Sequence, residues 1–149
     1  MMRLTTPPLQ RWFCNDAAMT NRSFPFSPRS TVPLELGDLI AVRCEPSGWA
    51  CLQVVDLRRS GAGARMTFVA GVLPWRGEAP PTRDAVAGVD AVEHGLVRVD
   101  VFTHGGLQVV DRAEIVATGL PSNFRDMQVG TIHKVWGWKT AIRRAQAAS

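Results

Sequence analysis

Cysteine is scarce in this chain: Cys14, Cys44 and Cys51 are the only three among 149 residues, and no C-x-x-C pair occurs. An odd count without repeated spacing argues against a disulfide framework and fits a reducing compartment. Lysine is scarcer still. Lys134 and Lys139 are the only two, so nearly all the basic charge is arginine. No uninterrupted apolar run approaches the roughly 20 residues needed to span a bilayer. Pro7, Pro8, Arg11 and Asp16 interrupt any apolar core of a signal peptide. A cytoplasmic protein without a membrane partner is therefore expected.

Catalytic and metal-binding patterns are missing as well. The three histidines, His94, His104 and His133, stand apart in sequence. None belongs to a zinc spacing such as H-E-x-x-H, so no metal and no cofactor are expected. The nucleophile elbow G-x-S-x-G is absent, and Ser47, Ser60 and Ser122 have no motif around them. The carboxylates Asp38, Glu45, Asp56, Glu93, Asp100, Asp111 and Glu114 fall mostly at turns or on polar strand faces, where solvation is the default. Ser60-Gly61-Ala62-Gly63 lacks the G-x-x-x-x-G-K-[ST] pattern and precedes a strand-like run, so it reads as a hairpin loop rather than a phosphate cradle. No enzyme is expected.

What is present is β pattern. With 46% hydrophobic residues the chain can bury a core, and its formal charge of +4 favours acidic partners without choosing among nucleic acid, membrane surface and protein. Residues 37–56 carry the clearest signal. The run Leu39-Ile40-Ala41-Val42 and a second run over 49–55 flank the turn Glu45-Pro46-Ser47-Gly48, a β-hairpin. With that loop, Cys44 faces Trp49, and Cys51 is a diagonal neighbour beyond comfortable disulfide reach. Both read as small apolar fillers.

Residues 1–33 hold Pro7, Pro8, Pro25, Pro28 and Pro33 and read as an extended or loosely ordered N-terminal arm. Trp12, Phe13, Phe24 and Phe26 are its available anchors on the core. A start at Met19 is the alternative, in which case residues 1–18 are incidental. Residues 34–149 form a single β-rich domain. A one-sided strand is expected at Met66, Phe68, Ala70 and Val72, ended by Pro74-Trp75-Arg76-Gly77. Thr82 is placed to cap a short helix over 83–87. A further strand carries Val97, Val99 and Val101 on one face. The turn Thr103-His104-Gly105-Gly106 then makes a second hairpin with residues 107–110. Ile115-Val116-Ala117 is a last apolar piece before Gly119-Leu120-Pro121. Beyond it come an apolar segment over 129–135 and a C-terminal amphipathic helix with Ala141, Ile142, Ala145 and Ala148 on one stripe. The fold class is mainly β, or β-rich α+β. A strongly bent antiparallel sheet or small barrel of five to six strands is expected, with one or two short helices including the C-terminal one.

Three places offer contact residues. Arg58, Arg59 and Arg65 flank the glycine loop. Trp75 and Arg76 lie just after a strand. His133-Lys134-Val135-Trp136-Gly137-Trp138-Lys139 mixes indoles with basic residues. Trp136 and Trp138 are open to three readings: packing on the sheet, a protein interface, or base stacking with Lys134, Lys139, Arg143 and Arg144 along phosphates.

The run Leu36-Gly37-Asp38-Leu39-Ile40-Ala41-Val42 and the run Gly48-Trp49-Ala50-Cys51-Leu52-Gln53-Val54 resemble the all-β immunity proteins of bacterial polymorphic toxin systems, specifically the immunity protein 26 family. The strand over 66–72, the start Pro81-Thr82-Arg83-Asp84 and the strand over 97–102 extend the resemblance across residues 34–120. The proline-bearing arm and the Trp-Gly-Trp tail depart from it. The resemblance implies a protein that binds a cognate toxin and blocks it without chemistry of its own. Arg58, Arg59, Arg65, Trp75, Arg76, Trp136, Trp138 and Lys139 are the expected contact residues. The alternative is a small basic β-barrel binding RNA or DNA through the C-terminal Trp, Lys and Arg residues.

Overall fold

The computed structural model describes residues 22–58, 61, 63–120 and 134–148. It is mainly β. Six strands make one sheet in the order β5-β1-β2-β3-β4-β6, comprising β1 (Asp38–Arg43), β2 (Trp49–Leu57), β3 (Thr67–Gly77), β4 (Glu93–Arg98), β5 (Gln108–Arg112) and β6 (Val135–Trp136). Among the described residues two helices accompany it: α1 (Asp100–Thr103) and, near the C-terminus, α2 (Trp138–Ala147). The sheet is open rather than closed into a barrel, because β5 and β6 lie at opposite edges. It is also mixed rather than purely antiparallel, since β6 runs parallel to β4.

The β1–β2 hairpin forms where expected, with its register one residue away. Gly48 has φ +101°, and the turn closes with Cys44 N–H donating to Gly48 O at 2.9 Å. Arg43 thus pairs with Trp49 and Ala41 with Cys51. A one-residue shift exchanges faces. Cys44 joins the larger core cluster and Cys51 the smaller one. Both thiols are free and buried, and burial pushes the Cys51 thiol far up.

β3 is buried on both faces, not one. Phe68, Ala70 and Val72 belong to the larger cluster, under α1 and α2, while Leu73 packs with Leu39, Cys51, Val86 and Ala113 on the other side. The strand also runs on through Pro74 to Gly77, where Trp49 pairs with Gly77. Thr82 does cap: its Oγ1 accepts from Ala85 N–H at 3.2 Å. Residues 83–88 nevertheless form a series of turns rather than a helix, and Gly88 ends the series at φ +78°.

The expected strand through Val101 breaks after Arg98. Thr103 N–H donates to Val99 O and His104 N–H to Asp100 O, so the chain coils into α1 and buries Val101 and Phe102. Phe102 stacks on Phe68 with ring centroids 5.8 Å apart. Residues 103–106 are consequently no hairpin turn. β5 leaves for the far edge of the sheet and pairs with β1. Residues 115–117 form no strand.

Residues 22–33 lie on the sheet. Phe26 and Val109 exchange backbone hydrogen bonds of 3.0 and 2.8 Å, and Thr31 donates to Arg65 O and Ala64 O. At the other edge Trp136 lies on Gly95, where any Cβ would come within 2.4 Å of the indole. α2 docks through Ala141 and Ala145, both fully buried.

Candidate protein-binding surfaces

The described residues among those singled out from sequence do not assemble into one site. Arg58 and Arg65 are exposed at one end of the β2–β3 pair. From Arg65 to Trp75 the chain runs along β3, roughly 30 Å at 3.3 Å per residue. There Trp75 is half-buried over Gly77, and Arg76 is exposed beside Gly48. Trp136 is a core residue at 5% exposure. Trp138 is half-buried against the same core, and the exposed Lys139 sets its Nζ 5.4 Å from the Trp138 ring centroid. Arg59, Ser60, His133, residues 1–21 and residues 121–132 lie outside the described residues.

A cleft lies elsewhere, where β1 and β5 meet residues 22–36. It measures about 620 Å³ and is lined chiefly by Arg22, Phe24, Glu35, Leu36, Arg83 and Arg112. Its foundation is Asp38. Gly37 adopts φ +95°, and any Cβ there would strike Ala113 O. The tight approach buries Asp38 completely, so this carboxylate is not the solvated turn residue its position suggests. Asp56 is buried as well.

Buried charge requires a partner. Arg22 Nη1 reaches Asp38 Oδ2 at 2.6 Å, and the same oxygen accepts Glu35 N–H at 2.9 Å. Burial raises the Asp38 carboxyl above its usual range, and the Arg22 hydrogen bond opposes that rise. Arg22 Nη2 also stands 3.4 Å from Glu35, which is 3.6 Å from Arg112 Nε. Arg112 Nε donates to Leu36 O at 3.0 Å. The Arg22 guanidinium carbon lies 5.2 and 5.6 Å from the Phe24 and Phe26 ring centroids. Across the cleft, Asp111 accepts Arg83 N–H at 2.8 Å.

The result is a set of fixed charges around two exposed apolar side chains, Phe24 at 39% and Leu36 at 43%. No local motif announces this set, because its members come from positions 22–36, 83 and 111–112.

Among the described residues, no group of three or more His, Cys, Asp or Glu is placed to hold a metal ion, and no helix is long and apolar enough to cross a membrane. Comparison with protein-family models, with curated proteins and with solved structures finds no match.

Proposed function

We propose that this chain is an immunity protein that binds and neutralises a cognate bacterial toxin by direct protein–protein contact in the cytoplasm. The observation that carries this reading is the β1–β5 cleft. Its exposed Phe24 and Leu36 sit beside arginines already held in place by Asp38 and Glu35. Interfaces concentrate their energy in aromatic, aliphatic and arginine anchors inside a polar rim. Anchors held in position before binding lose less conformational freedom when the complex forms. The resemblance of residues 34–120 to the immunity protein 26 family supplies the partner class. The nucleic-acid alternative calls on Trp136 and Trp138 to stack bases, and Trp136 is spent on Gly95.

The test is co-expression with the C-terminal domain encoded by the gene immediately upstream. Growth rescue and a co-purifying complex are expected, and Leu36→Asp should weaken the complex at least about tenfold while leaving the fold intact. Neither rescue nor complex with the wild-type chain would overturn the proposal.

A further inference from the structure

Residues 134–148 carry Lys134, Lys139, Arg143 and Arg144 and no carboxylate. Two of these cations share one acid: Lys134 Nζ lies 3.1 Å and Arg144 Nη1 3.7 Å from Glu93. The other two occupy the opposite flank of α2. Lys139, Arg143 and Gln146 fall at i, i+4 and i+7 and line one strip. Gln146 Nε2 donates to Arg43 O at 2.8 Å, which joins the strip to the exposed end of β1.

Lys139, Arg143 and Arg43 are all exposed, and none has a carboxylate at ion-pair distance among the described residues. Neutral groups hold them instead. Lys139 Nζ and Arg43 Cζ each lie 5.4 Å from an indole centroid, of Trp138 and Trp49 respectively, and Arg143 Nη2 donates to Thr140 Oγ1 at 3.4 Å. Cations seated on indoles keep their charge and lose part of their rotamer freedom in advance.

We propose that Lys139, Arg143 and Arg43 form a docking strip for a carboxylate-rich surface of a protein partner. The inference rests on the protein-binding reading above and adds the partner's chemistry and a second contact. A protein is favoured over a single-stranded nucleic acid because, among the described residues, no open indole platform accompanies the cations, Trp49 being half-buried and already carrying Arg43. Trp136 is buried, and Trp138 is pressed against Gly105 and carries Lys139. The strip lies along β1 from the cleft, about 17 Å from Asp38 to Arg43 at 3.3 Å per residue.

The test uses the full chain and a fluorescein-labelled poly-glutamate peptide, with binding read by fluorescence anisotropy at low and moderate salt. Saturable, salt-sensitive binding is expected, weakened at least about tenfold in R43E/K139E/R143E and little changed in the charge-matched R29E/R98E/K134E. Absence of binding, or equal loss in both variants, would overturn the strip. So would an oligothymidine bound more tightly than poly-glutamate through the same three residues. A chain that binds poly-glutamate through the strip but forms no complex with the upstream domain keeps this inference and removes the toxin reading. A complex that survives the triple reversal does the opposite.

Discussion

Arginine serves opposite ends at the two sides of β1. At its start, Arg22 lies 2.6 Å from Asp38 and Arg112 3.6 Å from Glu35, so each guanidinium is matched by a carboxylate. At its end, Arg43 rests on Trp49, and its neighbours across the strip, Lys139 and Arg143, are held by an indole and a hydroxyl. The first set is held against residues 22–36 by its own carboxylates before any partner arrives. The second keeps its full charge for solvent or a partner. A net charge of +4 therefore describes neither region, since one is balanced locally and the other is not.

The largest effect should come from breaking the balanced side. Asp38→Ala removes the 2.6 Å partner of a guanidinium whose side chain is only 11% exposed and leaves it the 3.4 Å contact with Glu35, and a loss of about 3 kcal/mol is expected in urea denaturation. Replacing both partners, Arg22→Met with Asp38→Leu, should recover most of that loss, because a buried ion pair adds little over well-packed apolar groups. Gly95→Ala comes next. Its methyl would meet the Trp136 ring at 2.4–2.6 Å, and about 1–3 kcal/mol of overpacking should appear as a lower Tm with altered tryptophan fluorescence.

A smaller effect concerns pH. Burial raises the Asp38 carboxyl above its ordinary value of 3.8. The native state thus holds a proton at pH values where the unfolded chain has released it. Stability contributed by this group is present below that ordinary value and declines as pH rises through the raised one. Asp38→Asn should flatten the decline in unfolding free energy measured across that window. The unbalanced side should barely register in stability. Lys139→Ala and Arg143→Ala are each expected to change it by less than about 0.5 kcal/mol. A larger loss would mean that these cations serve the fold after all.

Much of the scaffold was legible in the sequence. Pro46 and Gly48 mark the hairpin, and the alanine spacing at 141 and 145 marks the buried stripe of α2. The register was not, because it depends on which residue closes the turn, and the Cys44 to Gly48 hydrogen bond sets it one step away. The path of β5 was illegible for a different reason. Residues 103–106 have hairpin chemistry, but α1 intervenes and redirects the chain to the far edge. The cleft was the least accessible, since Arg22 meets Asp38 across 16 residues with no spacing to announce it. One signal does exist. An aspartate next to a positive-φ glycine, opening an otherwise apolar strand, demands a buried partner.

Whether this chain works by contact at both ends of β1 is decided most directly by its affinity for the C-terminal domain encoded by the upstream gene, measured by titration calorimetry. A saturable one-to-one complex is expected, weakened at least about tenfold by Leu36→Asp in the cleft and again by R43E/K139E/R143E on the strip. Absence of binding by the wild-type chain, or a complex indifferent to both sets of substitutions, would contradict a contact role for either end.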